Sequence, residues 1–522
     1  MGVYLNPASD GFQESLNSEI YVDKSAMIGK LNRLAGTKQK YVCVSRPRWF
    51  GKTMALEMLA AYYTSAHESR HLFAGLAIED DPSFEKHLGQ YHVICLNIQE
   101  VMTDAGDVTG LGCFLHKKLA ADVKNSQLGS SVEGESLTEF LGSLYQATGQ
   151  KIVFLIDEWD CIFRIRRDDN VAHGVYLDFL RHLLKDRSYV TLAYMTGILP
   201  IKKYGIHSAL SMFDEYSMTD PRNLAEYVGF TGPEVAALCG RYGMDFADAA
   251  DWYDGYSFPG APSVYCPRSV VTAMLCGRYS NYWTQTETYE ALRAYIEMNI
   301  DGLRDDVVAL LAGDRRRVNT QGFTNDMVTF AGKDDIFTLL VHLGYLGYDM
   351  DSGEVFVPNK EIADEFRTAT GNMGWQEVLV AVSASDALLE ATWRMDGESV
   401  AAAIEAAHME TSHLSYNDEN ALSYTVSLAY YSARKYYTIV REFPSGKGYA
   451  DMVFLPRPRH MDKAAMVVEL KWDKGAAGAI AQIKDKRYPS ALADYKGNLL
   501  LVGLGYTKKT KTHRCAIERV AV

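Results

Sequence analysis

Several things this 522-residue chain lacks narrow what it can be. No run approaches the roughly 20 consecutive apolar residues that a membrane-spanning helix needs, so no membrane partner is expected. The start, Met1–Ser25, has no basic segment followed by an apolar core, so it does not read as a secretory leader. Cysteine is sparse and scattered: Cys43, Cys95, Cys113, Cys161, Cys239, Cys266, Cys276 and Cys515 include no C-x-x-C pair. A zinc cluster and a disulfide framework are therefore disfavoured, and mostly buried free thiols in a reducing cytoplasm are expected. Positive charge is also short, with 53 Lys and Arg against 66 Asp and Glu and a formal net charge of −13. Such a balance argues against nonspecific coating of nucleic acid but leaves room for a local basic channel. The one modest basic cluster, Lys508, Lys509, Lys511, His513 and Arg514, reads more as a solvated tail than as a DNA site. There is no internal repeat and no low-complexity tract.

What is present is ordinary globular composition, 48% apolar and 23% charged. At about 150 residues per domain the length suggests roughly three domains. In residues 1–220 four continuous apolar runs, Lys40–Ser45, Tyr91–Ile98, Lys151–Ile156 and Tyr189–Thr196, alternate with helical patterns such as Met54–Tyr63 and Val171–Lys185. Unbroken apolar strands suit a parallel sheet covered on both faces, hence a three-layer α/β domain. Residues 221–375 read as mostly helical, and Asp335–Phe366 runs helix, strand, turn, strand, a pattern compatible with a winged helix. Residues 376–522 open with Ala-rich helices. Strand-like runs follow at Tyr437–Glu442, Ala450–Leu455, Ala465–Leu470 and Leu499–Gly503, giving a second, smaller α/β unit.

Two constellations carry chemistry. The first is Arg46-Pro47-Arg48-Trp49-Phe50-Gly51-Lys52-Thr53, between an apolar strand and a helix. A loop in that position wraps phosphates with backbone N–H groups at a helix N-terminus. Lys52 would reach the β- and γ-phosphates of ATP and Thr53 would hold Mg²⁺. Arg46 stands where the general pattern has its first glycine. About a hundred residues on, the strand Phe154-Leu-Ile ends in Asp157 and Glu158. Asp157 fits the Mg²⁺ shell, and Glu158 fits the orientation or deprotonation of an attacking water. Thr196, at the end of the next strand, is a candidate γ-phosphate sensor. Arg164, Arg166 and Arg167 are either a finger for a neighbouring subunit or a solvated helix flank.

The second constellation is Asp451, leading a strand, followed by Glu469-Leu-Lys471 on the next. Alternation puts Glu469 and Lys471 on one face, with Val468 and Leu470 turned into the core. Asp451 and Glu469 are hard oxygen ligands suited to Mg²⁺ or Mn²⁺, and Lys471 suits an attacking water or a scissile phosphate. Glu419 on an upstream helix would complete the metal shell. Gln482 would position water or phosphate, Lys486 and Tyr488 are candidates for backbone contacts to nucleic acid, and Glu442 ranks below these. An E-x-K triplet alone has little specificity. Its setting between an Asp-led strand and a Gln-led helix gives it more.

These residues carry a family resemblance that covers nearly the whole chain. Tyr21-Val-Asp-Lys-Ser25, the Arg46–Thr53 loop and Leu155-Ile-Asp-Glu-Trp-Asp160 resemble a bacterial AAA-ATPase-like family whose own loop carries Arg at the Arg46 position. Val228–Val235, Trp252-Tyr-Asp-Gly-Tyr256 and Tyr265–Ser269 look like its middle region. The C-terminal part, with Gly446–Asp451 and Glu469–Lys471, resembles the restriction-endonuclease-like PD-(D/E)XK nuclease superfamily. The resemblance implies ATP at Lys52, Thr53 and Asp157, and a nuclease-like site at Asp451, Glu469 and Lys471. The expected function is an ATP-binding protein, an ATPase, coupled to a Mg²⁺-dependent nuclease. A role in defence against phage or mobile DNA follows only by analogy of architecture. The alternative is a nucleotide-switched binding or signalling protein whose nuclease fold is a non-catalytic platform. Oligomers are common among P-loop proteins of this broad type, but no heptad pattern supports a number here.

Overall fold

The computed structural model describes residues 2–126, 132–201, 210–283, 289–311, 313–323, 330–371, 376–410, 426, 429–445, 448–457, 460–472, 476–485, 499–507 and 512–520. The chain forms two compact units. One comprises Met1–Gly302 and Arg317–Glu365, the other Leu303–Arg316 and Phe366–Val522.

The first unit is built on β1 (Tyr41–Ser45), β2 (His92–Asn97), β3 (Ile152–Asp157), β4 (Val190–Gly197) and β5 (Asp214–Tyr216), in the order β2-β3-β4-β1-β5 and parallel throughout. Every residue of β1, β3 and β4 is buried, as strands covered on both faces must be. The four strands read from the sequence match to within one residue at each end. The order has a consequence for the site: β4 lies between β1 and β3. The residues that follow β1, β3 and β4 therefore meet at one edge of the sheet, where ligands of open α/β sheets bind.

The same unit contains a small antiparallel sheet of β6 (Phe230–Thr231), β7 (Tyr256–Phe258) and β8 (Ala261–Tyr265). Val235, Tyr253, Tyr265 and Val270 pack together beside it in one buried cluster. After the two-residue β9 (Arg316–Arg317), the helix Lys333–Leu343 runs into an antiparallel hairpin of β10 (Gly347–Asp349) and β11 (Glu354–Phe356), the helix–strand–turn–strand order read from the sequence. Most of the middle segment thus belongs to the same compact unit as the phosphate loop.

The second unit carries β12 (Tyr437–Ser445), β13 (Gly448–Pro456), β14 (Ala465–Trp472), β15 (Leu499–Thr507) and β16 (Thr512–Val520), in that order across the sheet. Neighbours are antiparallel except β14 and β15, which are parallel. One face packs Val453, Val467, Leu499 and Leu501 against Ile480 and Ile483 of the helix Ala476–Asp485. The other packs Met452, Phe454, Val468, Leu470 and Val502 against Leu388, Val400 and Ile404 of the helices Gln376–Trp393 and Gly397–Glu410. Fully burying each such side chain contributes about 2 kcal/mol. The result is helix, sheet, helix. β16 was not expected. His513 and Arg514 of the supposed basic tail lie on this strand, and Lys508, Lys509 and Lys511 fall outside the described residues.

All eight cysteines are free; four are buried, while Cys113 and Cys276 are exposed. Among the described residues no helix is long and apolar enough to cross a membrane.

Two candidate active sites

The phosphate loop leaves β1 at Ser45, whose hydroxyl donates to the Leu199 carbonyl at 2.9 Å. Its end is set by Gly51, which adopts φ +85° as N-cap of the helix Lys52–Tyr63, a conformation a side chain would strain. Lys52 is 7% exposed and donates to the Pro47 carbonyl at 2.8 Å. Burial lowers its pKa, opposed by the nearby carboxylates of Glu158, Asp157 and Asp160. An ammonium has three N–H donors, so a lysine with one loop carbonyl as acceptor still has donors to offer phosphate oxygens.

The Thr53 hydroxyl donates to Asp157 Oδ2 at 2.7 Å. Burial raises the Asp157 pKa, and the Thr53 hydrogen bond opposes that rise. Hydroxyl and carboxylate side by side are the hard oxygens that Mg²⁺ accepts, so the loop and β3 fit a nucleotide with its magnesium. Pro47 is buried and Arg48 is partly buried within the same loop.

Three other residues hold positions the sequence did not reveal. Arg46 is turned away from the loop: its Nη1 donates to the carbonyls of Ser45 (2.8 Å) and Tyr216 (3.0 Å), and its backbone N–H extends the β1–β4 ladder to Gly197. It is fully buried, and burial pushes its pKa down to about 10. Its side chain is therefore held inside the fold as a strut. The Thr196 hydroxyl donates to the Val44 carbonyl at 3.1 Å, because β4 pairs directly with β1 there. That bond occupies the group expected to sense a γ-phosphate. Glu158, at φ +52°, forms an ion pair with Arg164, which also lies 3.6 Å from Asp160. Arg164 is thus engaged within its own chain rather than free as a finger.

Asp160 has a role that no motif in the sequence announces. It is fully buried and accepts from the backbone N–H groups of Ile198 (3.2 Å) and Leu199 (2.9 Å). It so ties the turn after β3 to the turn after β4. A third carboxylate in Leu155-Ile-Asp-Glu-Trp-Asp160, just after the buried Trp159, was the available signal.

In the second unit the β13–β14 ladder runs Phe454↔Met466, Val453↔Val467 and Met452↔Val468. One step further, the Leu470 N–H donates to Asp451 Oδ2 at 2.7 Å. The Asp451 carboxylate thus reaches β14 beside Glu469. Glu469 is 1% exposed, and its Oε1 accepts from Lys471 Nζ at 3.2 Å and from the Gln482 amide of the covering helix. Asp451, Glu469, Lys471 and Gln482 are therefore brought together. Two carboxylates with an ammonium and an amide beside them fit a divalent cation at an oxygen site. Among the described residues no group of three or more His, Cys, Asp or Glu gathers as a metal site. Glu419, Lys486 and Tyr488 lie outside the described residues, as does the Glu442 side chain.

A parallel α/β sheet with a Lys-Thr loop facing an Asp-Glu turn defines a P-loop ATPase-type domain, and the mixed sheet with Asp451, Glu469 and Lys471 defines a nuclease-type domain. Sequence comparison agrees on both. Residues 11–207 match the predicted AAA-ATPase family, and residues 418–515 match the PD-(D/E)XK nuclease superfamily. The chain thus pairs a predicted AAA-ATPase domain with a C-terminal PD-(D/E)XK nuclease-superfamily domain. No curated protein matches it in sequence. Similar solved structures include PCH-2 of C. elegans, at 16% identity and TM-score 0.24, where the match covers 48% of this chain and 54% of that one. ORC2 of Aeropyrum pernix, solved as ADPNP–ADP complexes, matches at 10% identity and TM-score 0.32 over 70% of this chain and 98% of its own. Cdc6p of Pyrobaculum aerophilum matches at 10% identity and TM-score 0.25 over 71% and 100%. Likenesses this distant carry no argument about function.

Proposed function

We propose that the protein binds and hydrolyses ATP at the Lys52–Thr53 loop and cleaves nucleic-acid phosphodiesters at Asp451, Glu469 and Lys471. The observation that carries this reading is the convergence of Lys471 and Gln482 on buried Glu469, with Asp451 hydrogen-bonded to the same strand. A fold kept only as a binding platform has no chemical need for that set.

At the first site, backbone N–H groups of the loop and the Lys52 ammonium bind the phosphates, Lys52 exchanging the Pro47 carbonyl for phosphate oxygen. Thr53 and Asp157 hold the Mg²⁺ that accompanies the nucleotide. Glu158 orients the attacking water once it leaves Arg164. At the second site, Asp451 and Glu469 hold a divalent cation, Mg²⁺ or Mn²⁺, which supplies Lewis acidity at the scissile phosphate. Lys471 offsets charge on that phosphate and steadies the attacking water. Gln482 keeps the Glu469 carboxylate oriented from the covering helix.

The test is separability. Lys52→Ala should lose nucleotide binding, and Asp451→Ala should lose cleavage while retaining ATP turnover. Wild-type cleavage by Asp451→Ala would remove the nuclease assignment, and undiminished ATP binding by Lys52→Ala would remove the other.

A further inference from the structure

The phosphate loop is unusual in being bulky. Arg46, Pro47, Arg48, Trp49 and Phe50 precede its glycine, and side chains of that size need partners. Strand β7 supplies partners at both ends. Tyr256 and Phe258 are the two ends of the three-residue strand, and each meets a loop residue. The Phe258 ring lies under the Arg46 guanidinium, 5.3 Å from centroid to carbon. The Tyr256 ring meets Phe50 edge to face at 5.4 Å and 78°. Both aromatic side chains are buried, at 1% and 5% exposure.

The strand itself is firmly held. The Tyr256 hydroxyl donates to the Gly344 carbonyl at 2.5 Å, at the C-cap of the helix Lys333–Leu343. Tyr256 and Phe258 pair with Val264 and Ala261 of β8. Just before them Gly255 sits at φ +123°, where a Cβ would collide with the Pro358 carbonyl. The Trp-Tyr-Asp-Gly-Tyr256 motif thereby gains a physical purpose: it delivers Tyr256 to the loop. All of these residues belong to one compact unit, yet β7 lies beyond residue 207, where the match to the ATPase family ends.

We propose that β7 is a clamp that holds the phosphate loop in the curvature required for nucleotide, with Tyr256 and Phe258 as positioning residues. Backbone N–H groups bind phosphate only when the loop already points them inward, so fixing its first and fifth residues contributes affinity through preorganisation. The inference rests on nucleotide binding at this loop.

The test uses the full chain with ATP and ADP as ligands, comparing dissociation constants at a temperature where every variant is folded. Tyr256→Leu and Phe258→Leu should each weaken binding by about tenfold or more, while Tyr256→Phe, which keeps the ring and loses only the hydrogen bond to Gly344, should bind more tightly than Tyr256→Leu. Val235→Ala, in the separate buried cluster of the same unit, is the control for lost stability. It should lower Tm without moving the dissociation constant. If the leucine variants bind like wild type, or if Val235→Ala weakens binding as much at an equal loss of Tm, the clamp is refuted while nucleotide binding stands. If wild type binds neither nucleotide, the nucleotide reading itself fails and takes the clamp with it.

Discussion

Lys471 Nζ stands 3.2 Å from Glu469 Oε1, on the same face of β14 and two residues along it. The Gln482 amide donates to that same oxygen from the helix packed over the strand. Strand alternation fixes the first contact, and burial of Ile480 and Ile483 on either side of Gln482 fixes the second. Polar chemistry and apolar packing therefore share one surface. Val467, two residues before Glu469, points into the cluster with Ile480 and Ile483, while Val468 and Leu470 fill the opposite one.

That arrangement makes Gln482 an orienting group. Gln482→Leu should keep the helix seated and lower the rate of cleavage by about 10- to 100-fold, with a higher Mg²⁺ requirement. Initial rates across a Mg²⁺ titration measure both. Rates and metal dependence equal to wild type would place Gln482 outside the site.

Arg164 serves two carboxylates, one of them fully buried. Removing its charge leaves Asp160 its two backbone N–H donors but takes away the Arg164 guanidinium, where burial already raises its pKa. Arg164→Met should therefore cost about 3 kcal/mol of stability, by analogy with broken buried pairs. Adding Asp160→Asn should recover much of that loss. Urea unfolding of the two variants gives the answer, and equal stability of single and double variants would contradict it.

Glu361 provides a pH signature. It is buried, and accepts from the Ser269 hydroxyl (2.9 Å) and the N–H groups of Tyr282 (2.7 Å) and Trp283 (3.0 Å). Burial pushes its carboxyl up from 4.5 to about 7; those hydrogen bonds oppose the rise, and nearby Glu365 adds to it. The folded pKa exceeds the unfolded one, so the native state binds the proton more tightly between these values. The stability so gained is complete below 4.5 and is lost as pH rises through about 7. Glu361→Gln keeps a neutral group there, so its Tm relative to wild type should rise from about pH 5 to about pH 8. A constant difference across that range would contradict the assignment.

Much of this fold was legible because its strands are long and apolar. KYVCVS, YHVICLNI, KIVFLI and YVTLAYMT stand out from their surroundings, and the structure moves their ends by at most one residue. β5 escaped because it has three residues, two of them acidic. β16 escaped because Thr512–Val520 is an edge strand with polar residues throughout, preceded by lysines that suggest a tail. Among candidate site residues, those whose position follows from strand alternation or from a loop–helix junction were readable: Glu469, Lys471, Lys52 and Thr53. Arg46 and Thr196 were not, since where a side chain turns depends on partners far along the chain. Arg46 turns toward Tyr216 and Phe258, and Thr196 toward Val44.

Asp451, Glu469 and Lys471 are proposed to form a metal-dependent nuclease site. Its most direct test incubates purified wild type and Lys471→Ala with plasmid, single-stranded DNA and RNA, with Mg²⁺ or Mn²⁺ and then with EDTA. Cleavage of at least one substrate by wild type with metal, abolished by EDTA and by Lys471→Ala, is the predicted result. Equal cleavage by both proteins, or none by wild type under any condition while ATP is still hydrolysed, would contradict it.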